Sequence, residues 1–599
     1  MDRSTIIRWI VIALLVWLGW TYLPKFCGGG ESSSNAIQPI RPESACDVQL
    51  PCVPAERAPE VICQISGNRF AAQFSSRGAS LTSLKLTGDD RYRQKEGDGS
   101  FAGEPIDLVT SSSIEQRRPL RFDWRSAGVS RGEDAQVQYD AFDWVLSEQS
   151  DSHCVFVYSD ENVEIQKTVK AGVRPFEISI EAVVKNLSEK KRKHALSVEV
   201  VTWRYQSEVE SHLGRQSPHM THLSCAYDKE YVKKNLSDFE PSDFGKKEFE
   251  GGDWSVSRGN VSHAAVSDFY FAQALIPDTP EAIGCLMQIE ERWDPIRFAD
   301  KAKDPNYGAI YRTRLSYAPK DLSQGQSEKY QITAFIGPKE RDVLSGAAGG
   351  NHRLSELVDL GFFSFIAKGL LVFLVWLHSL VKNWGIAIIL MTVGVRALLF
   401  PLTLWQIRSG FAMRRLRPEI DAINKKYAND QQGKGIATME LWKKHKVNPA
   451  IGCLPALFQL PVWWALFTSL QTAVELYHTP FLWFPDLSSP DPYYVAPVIL
   501  GLTMIIQQKL MPMQMDPVQQ KMMTYIMPGV FTVMMLFLPS GLAVYMLTNA
   551  VIGISQQLII ERYYASQGLA SPAVSSAKSA NSGITVREKP DKTQPNKDK

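Results

Sequence analysis

The chain has 599 residues, about four times the length of a typical single domain, so one compact domain is excluded. Its 65 Lys and Arg residues against 63 Asp and Glu leave no general basic excess for holding a nucleic-acid backbone, and no direct nucleic-acid binding is expected. The mean hydropathy of -0.15 averages a charged region up to about residue 350 with a C-terminal region of long apolar runs.

The N-terminal residues predict a membrane anchor. Residues 6–23 are long and apolar enough to cross a bilayer, and Arg3 and Arg8 favour a cytoplasmic location for residues 1–5. A cleavable signal peptide is the alternative, because Ser34-Asn35-Ala36 resembles a cleavage site, but that site lies far beyond the apolar run. Residues 24–58 are rich in Gly, Ser and Pro and predict a flexible linker.

Residues 59–345 have the alternating pattern of β-strands. Phe176, Ile178, Ile180, Ala182 and Val184 alternate with mostly polar residues, and Leu196, Val198 and Val200 repeat the pattern. Short strands separated by turns predict a large antiparallel β-sandwich outside the cytoplasm.

This region also contains cysteines and a possible metal site. In an oxidising compartment Cys46 and Cys52 could pair, although spacing leaves the connectivity open. His219, His222 and Cys225 could together bind zinc, but their spacing matches no established set and no fourth ligand is evident. A polar loop is the favoured interpretation, so no metal or cofactor is expected.

The region after residue 345 predicts further membrane segments. The basic stretch 405–447, with ten Lys and Arg against four Asp and Glu, belongs in the cytoplasm. That placement requires residues 346–382 to lie on the outer interface as an amphipathic helix, although 360–381 is apolar enough to span. The predicted order is then: span 384–404, cytoplasmic hairpin 405–447, span 451–476, periplasmic loop 477–492, span 493–510, cytoplasmic loop 511–522, spans 523–538 and 541–560, and basic cytoplasmic tail 561–599.

Residues 405–447 predict two antiparallel helices. Met413, Leu416, Ile420, Ile423 and Tyr427 recur at intervals of three and four, which gives one apolar face. Ile436, Met439 and Trp442 give a second apolar face after a break at 429–435. The outer faces are basic and include Arg414, Arg415, Arg417, Lys425 and Lys426.

Arg396 is the most informative single residue, because a charge inside an apolar span costs about 2.5 to 3.5 kcal/mol near the centre of the bilayer. It could extend to the cytoplasmic interface. Alternatively, polar residues of the other spans, among them Gln459 and Asn549, converge on it and line a hydrated groove. No nucleotide-binding loop or metalloprotease motif accompanies it, so an enzyme is not expected.

The ordered motifs of residues 360–562 resemble the YidC insertase family of Gram-negative bacteria. The matching segments are Asn383-Trp384-Gly385, Pro401-Leu402-Thr403 after Arg396, Lys446-Val447-Asn448-Pro449, Gly452-Cys453-Leu454-Pro455, Gln459-Leu460-Pro461, Asp486-Leu487-Ser488, Asp491-Pro492-Tyr493-Tyr494, Gln508-Lys509, Asp516-Pro517 and Phe537-Leu538-Pro539-Ser540-Gly541-Leu542. The resemblance implies a six-span helical membrane part, formed by a five-helix core and the N-terminal anchor, and a periplasmic β-supersandwich similar to sugar-mutarotase folds.

The resemblance also implies a function and its residues. Arg396 would be the groove arginine, and Thr392, Gln508 and Tyr545 would be groove or substrate-contact positions. Met546 departs from relatives that have a second Tyr there. An inner-membrane, multi-pass insertase with both termini in the cytoplasm is implied. Its implied partners are nascent membrane proteins, the lipid bilayer, a Sec-type translocon and the ribosome.

Two other functions are compatible with parts of the sequence. A secondary transporter could use Arg396 to bind an anionic solute, but it predicts inverted repeats that the sequence does not show. An anchored carbohydrate enzyme would need convergent acid and base residues in the β-sandwich.

Overall fold

The computed structural model describes residues 57–96, 101–124, 143–210, 217–227, 230–238, 253–256, 260–294, 296–298, 300–350, 352–427, 430–445, 449–510 and 521–566. The predicted anchor, the linker up to residue 56, the Cys46 and Cys52 pair, most of the loop 511–522 and the tail from residue 567 lie outside these residues.

The region up to residue 338 is built from antiparallel strands. The strands are β1 (Ile62–Gly67), β2 (Phe70–Ser75), β3 (Ser80–Leu86), β4 (Phe122–Asp123), β5 (Val145–Gln149), β6 (His153–Ser159), β7 (Val163–Ala171), β8 (Glu177–Asn186), β9 (Arg192–His194), β10 (Ser197–Tyr205), β11 (His222–Tyr227), β12 (Glu230–Lys234), β13 (Asp253–Val256), β14 (Val261–Ser267), β15 (Phe271–Thr279), β16 (Ala282–Arg292), β17 (Gly308–Tyr317), β18 (Lys320–Leu322) and β19 (Ser327–Pro338). We call this region the β-domain.

Two large sheets dominate the β-domain, with the strand orders β12-β11-β14-β15-β19-β8-β7-β6-β5 and β13-β16-β17-β10-β4. Smaller sheets are formed by β1-β2-β3 and by β18-β9. The antiparallel pairing confirms the predicted β-rich domain. Disulfides join Cys63 to Cys154 and Cys225 to Cys285.

The predicted alternation is confirmed in β8. In β10 the predicted inward residues Val198 and Val200 are buried, but the other face of the strand is buried as well. In β8, Ile178, Ile180 and Ala182 are buried while Ser179 is exposed. In β10, Val201 is buried as fully as Val200. A second apolar cluster of Ile114, Val201, Trp203 and Ile310 covers the other face of this strand, so both of its faces are enclosed.

The region from residue 341 is helical, after a short helix α1 (Gln206–Val209) within the β-domain. The helices are α2 (Arg341–Gly346), α3 (Ser364–Val381), α4 (Trp384–Leu398), α5 (Phe400–Arg415), α6 (Arg417–Lys426), α7 (Gln431–Lys444), α8 (Pro449–Thr472), α9 (Val495–Leu510), α10 (Met527–Met535) and α11 (Ser540–Ser566). A π-helical turn, Met522–Ile526, precedes α10.

Several helix limits differ from the predicted spans. The predicted span 384–404 is divided at Leu399, because Pro401 fits the first turn of a new helix better than the interior of α4. Helix α11 begins at Ser540 and runs to Ser566, so it is longer than the predicted 541–560. Among the described helices, α3 and the Ser540–Tyr563 part of α11 are long and apolar enough to cross a bilayer.

The exposed side of helix α3 is mostly apolar, although it also carries Lys368 and Ser379. Its Leu371, Leu374 and Leu377 pack into the helical core. The opposite side exposes Phe365 and Trp376. An apolar surface of this kind suits contact with lipid along the helix. The interfacial position of α3 stays a prediction.

The connection between α8 and α9 lies against the β-domain. Val474 joins the β-domain core, and the Tyr477 ring lies 4.9 Å from that of Tyr270 and 5.5 Å from that of Phe271. The Arg91 guanidinium donates to the Glu475 carbonyl at 3.1 Å. The β-domain therefore contacts a segment that continues directly into two helices of the bundle.

Candidate functional site

Helix α4 places Arg396 on the side of the bundle that faces α11. Asn383 caps the start of the helix, because its side-chain oxygen accepts from the Ile386 N–H at 3.0 Å and so satisfies a free donor of the first turn. Thr392 lies one turn before Arg396 and is fully buried. Its hydroxyl donates to the Ile388 carbonyl of the same helix at 2.7 Å, so Thr392 is satisfied without a partner from another helix.

The Arg396 guanidinium is held by one uncharged residue. Its Nε donates to the Asn549 side-chain oxygen at 2.6 Å, and its Nη2 donates to the Asn549 carbonyl at 2.9 Å. The side chain is half-buried. Within the described part of the chain, no carboxylate lies within ion-pair distance of Arg396. These bonds orient the guanidinium and leave its positive charge unneutralised.

A glycine makes room for this arrangement. Gly553 follows Asn549 by one turn of α11, and a Cβ at that position would lie 3.2 Å from Arg396 Nη2. The same Cβ would lie 3.5 Å from Gln507 Nε2, so Gln507 of α9 also approaches this point. Sequence reasoning missed Gly553, although its spacing of four from Asn549 places both residues on one face of α11.

A second polar contact joins α8 to α11. Gln459 donates its Nε2 to the Tyr545 hydroxyl at 3.1 Å. Tyr545 is 1% exposed, so in this structure its ring is packed among helices and is not accessible to a bound chain. Met546 is half-buried, and its sulfur lies 3.2 Å from the Trp463 indole nitrogen. Trp463 was also missed by sequence reasoning.

Gln508 takes no part in these contacts, unlike its neighbour Gln507. It lies half-buried in the last turn of α9, and its side chain makes no hydrogen bond among the described residues. The structure therefore brings together Arg396, Asn549, Gly553 and Gln507. A separate contact of Gln459 with Tyr545 lies about one turn away along α11. We call the first four residues the arginine cluster.

Helices α6 and α7 pack against each other through Leu416, Ile420 and Leu441. The predicted second apolar face was wrong in part, because Ile436 and Met439 are more than half exposed while Leu441 is buried. Leu441 adjoins Trp442, which packs against the same cluster, so the inward face of α7 is rotated from the predicted one.

Basic residues of this hairpin were predicted to meet incoming chains. Lys425 and Lys426 are exposed, and the Lys426 Nζ lies 5.4 Å from the centre of the Tyr427 ring. The side chains of Arg414, Arg415 and Arg417 lie outside the described part of the structure.

The possible zinc site of the β-domain is not formed. Cys225 is bonded to Cys285 and has no thiolate to offer a metal. Burial lowers the pKa of His222 to about 3, as expected for a histidine enclosed by protein.

Comparisons with known proteins agree with the division into two regions. A family model described as "60Kd inner membrane protein" matches residues 376–567, and one described as "YidC periplasmic domain" matches residues 63–373. The chain is 34% identical over 519 residues to a membrane protein insertase YidC of Anaeromyxobacter dehalogenans strain 2CP-C, covering 84% of this chain and 86% of the relative.

Two further similarities extend over most of the chain. It is 32% identical over 575 residues to a membrane protein insertase YidC of Geotalea daltonii, covering 94% of this chain and 99% of the relative. Among solved structures, an active YidC insertase with its first transmembrane domain resolved matches with a TM-score of 0.34 and 19% identity, covering 84% of this chain and 94% of that one.

Proposed function

This chain belongs to the YidC family of membrane protein insertases, and we propose that it inserts nascent membrane proteins through the polar region around Arg396. It is an inner-membrane protein with a periplasmic β-domain. As an insertase it is not an enzyme. Its role is to lower the free energy needed to move polar polypeptide into the bilayer.

The unneutralised charge of Arg396 supports this proposal most directly. A charge in an apolar helix raises the free energy of the folded protein unless it is hydrated or paired, and among the described residues Arg396 is held by an amide and a carbonyl and by no carboxylate. An acidic flank of a nascent segment would be attracted to the guanidinium, because Coulomb interactions strengthen as the surroundings become less polar. The apolar segment itself would then enter lipid by burial of its surface, worth about 25 cal/mol per Å².

We propose a multi-pass topology with both termini in the cytoplasm. The basic hairpin of α6 and α7 would then lie in the cytoplasm and the acidic connection between α8 and α9 in the periplasm. This topology places α3 on the outer interface and makes 6–23, α4, α8, α9, the segment 523–538 that contains α10, and α11 the spans.

The exposed basic residues suggest two further partners. Lys425 and Lys426 face solvent at the end of α6 and would attract an anionic part of the ribosome surface. A Sec-type translocon would transfer longer segments of nascent membrane proteins to the helical bundle. Both partners are proposed from the family resemblance and from these charges.

Reconstitution in liposomes tests the function. We expect the purified full chain to insert a short test membrane protein without ATP, measured as protection of its translocated tail from added protease. Uptake of an anionic solute without insertion would instead identify a transporter. Sugar turnover without insertion would identify a carbohydrate enzyme.

A further inference from the structure

The β-domain meets the membrane part at one end of its strands. Tyr270 and Phe271, where the chain enters β15, contact Tyr477 of the connection between α8 and α9. At the same end of the large sheet, the Glu177 carboxylate at the start of β8 accepts at 2.7 Å from the Ala348 N–H, in the segment that leads to α3. In the proposed topology both segments lie on the outer side of the bilayer, so this end of the β-domain faces the lipid surface.

Two loops carry the most exposed large apolar side chains that the structure describes in the β-domain. Val173, between β7 and β8, is 95% exposed, and Ile296, between β16 and β17, is 90% exposed. Single exposed apolar residues are common on protein surfaces, so their exposure alone carries no argument. Their location does, because the loop of Val173 leads directly into β8 at the end that faces the lipid surface.

The pairing of the smaller sheet places the loop of Ile296 at the same end. Arg204 of β10 and Glu291 of β16 both pair with Ala309 of β17. The Arg204 side chain forms an ion pair at 2.7 Å with Asp268, in the turn that precedes β15. Because neighbouring strands lie about 4.8 Å apart, the end of β16 is about 10 Å from Arg204. The loop that follows β16 therefore begins beside the contact with the membrane part.

An arginine follows the apolar residue in each loop. The side chain of Arg174 is 50% exposed, whereas that of Glu177, 3.9 Å away, is 8% exposed. The side chain of Arg297 is 72% exposed, whereas that of Asp294, 3.7 Å away, is 27% exposed. Each pair of residues, Val173 with Arg174 and Ile296 with Arg297, therefore presents an apolar group and a cation outwards while the nearby carboxylate is sheltered. We call these two pairs the exposed tips.

Hydrogen bonds hold Ile296 in its outward position. The Asp294 side chain accepts from the Ile296 N–H at 3.0 Å and from the Arg297 N–H at 3.2 Å. The Asp294 N–H in turn donates at 2.7 Å to the carboxylate of Asp304, which is buried. The exposure of Ile296 is therefore a property of the folded loop.

An apolar side chain next to an arginine suits the headgroup layer of a phospholipid bilayer. The apolar group can enter the boundary with the acyl chains while the guanidinium donates to phosphate oxygens. The exposed tips belong to different strand connections, and a planar lipid surface can meet both of them at once.

We propose that Val173 and Ile296 enter the outer headgroup layer of the bilayer and that Arg174 and Arg297 donate to lipid phosphates there. The proposal rests on the proposed topology and does not involve the arginine cluster. Together with the contact at Tyr477, the exposed tips would fix the tilt of the β-domain above the helical bundle.

Quenching by brominated lipid tests this contact. The full chain carrying Ile296→dansylalanine is reconstituted in vesicles of phosphatidylethanolamine and phosphatidylglycerol with bromine on the acyl chains near the glycerol. Ile283→dansylalanine is the matched control, because Ile283 is an exposed isoleucine near the other end of β16, about 30 Å away along the strand. We expect quenching about threefold stronger or more at position 296, because the fluorophore enters lipid only there. Val173→dansylalanine should behave in the same way.

Two results would overturn the proposal. The first is equal quenching at positions 296 and 283. The second is a blue-shifted emission at position 296 without quenching, because a protein surface would then cover this tip.

The arginines are tested with the fluorophore at position 296. Arg174→Gln combined with Arg297→Gln should lower the quenching about twofold, because the guanidinium groups no longer donate to phosphate oxygens. Lys191→Gln combined with Lys329→Gln is the matched control, since these exposed lysines also pair with carboxylates but lie near the opposite end of β8. Unchanged quenching in the arginine variant, or an equal fall in both variants, would overturn the phosphate contact.

Neither measurement depends on a substrate. Loss of insertion with this quenching intact would count against the proposed function alone. Normal insertion without the quenching would overturn the lipid contact alone.

Discussion

The Glu199 network of the β-domain and Arg396 of the helical bundle hold charge in opposite ways. In the β-domain, Glu199 of β10 accepts from Arg314 Nε at 2.6 Å and lies 3.3 Å from Arg312. In the bundle, Arg396 is bonded only to the uncharged Asn549 among the described residues. The paired charges around Glu199 fix a structure, whereas the charge of Arg396 remains available to a passing chain.

The largest effect should come from breaking the β-domain network. Burial opposes ionisation of Glu199, but the charges of Arg314 and Arg312 outweigh it and keep the pKa of Glu199 well below its usual range. Glu199→Ala would leave two buried guanidinium groups without this partner, so we expect a loss of about 3–5 kcal/mol in unfolding free energy. Urea denaturation of the full chain, followed by near-ultraviolet circular dichroism, measures it.

Glu181→Ala is the matched control for that experiment. Glu181 pairs with Lys329 at 3.0 Å, but both side chains are substantially exposed. Its loss should cost no more than about 1 kcal/mol. A comparable loss in both variants would mean that the buried network stabilises the fold no more than an exposed ion pair does.

Removing the charge of Arg396 should affect function and not the stability of the β-domain. We expect Arg396→Ala to reduce insertion of test proteins with acidic translocated tails about tenfold, which corresponds to about 1.4 kcal/mol. Insertion of proteins with uncharged tails should fall much less. An equal loss for both tails would contradict electrostatic attraction as the role of Arg396.

Neutralising the arginine in place gives a sharper test. Asn549→Asp would place a carboxylate at the position of an oxygen that now lies 2.6 Å from Arg396 Nε. The bundle would then contain an ion pair like those of the β-domain, and the guanidinium would be less available. We expect a severalfold loss for acidic tails with unchanged insertion of uncharged tails. Normal insertion of acidic tails would show that the unneutralised charge is not required.

A buried lysine in the β-domain predicts a dependence on pH. Lys339 donates to the Asp268 carbonyl at 2.7 Å and the Leu357 carbonyl at 2.8 Å, and burial lowers its pKa to about 7. The charges of Asp268, Lys233 and Asp359 also act on it.

Because the unfolded lysine has a pKa near 10.4, the unfolded chain binds more protons between about pH 7 and 10. This group should therefore make the chain more stable as pH rises, by up to about 1.4 kcal/mol per pH unit. The slope should disappear in Lys339→Met and persist in Lys185→Met, where an exposed lysine is lost. Unfolding free energies at pH 7, 8 and 9 measure it, and an identical slope in the two variants would exclude Lys339 as its source.

The sequence predicted the classes of structure better than their contacts. Alternation identified β8, because burial of one face of a strand gives a period of two in the sequence. Apolar runs identified most helices, because a helix surrounded by apolar groups carries apolar residues on all sides. Alternation failed at β10, where a second cluster covers the outer face. Arg396 was recognisable as a charged residue within an apolar segment. Its pairing with Asn549, and not with Gln508, depends on the relative rotation of two helices, which no local pattern encodes.

The smallest effect should come from the glycine beside the guanidinium. Gly553→Ala adds a methyl group 3.2 Å from Arg396 Nη2, so the guanidinium must shift by a few tenths of an ångström, whereas Gln507 Nε2, at 3.5 Å, stays in ordinary van der Waals contact. Alanine also favours a helix by up to about 1 kcal/mol relative to glycine. The two consequences oppose each other: α11 should gain stability while insertion of acidic tails falls about twofold. Thermal unfolding measures the first effect and the protease-protection assay the second.

Gly529→Ala in α10 is the control, because a Cβ there would meet nothing within 4 Å, and it should raise stability without lowering insertion. A loss of insertion in both variants would assign the effect to helix flexibility, and the charge of Arg396 would then no longer account for the difference between the bundle and the β-domain.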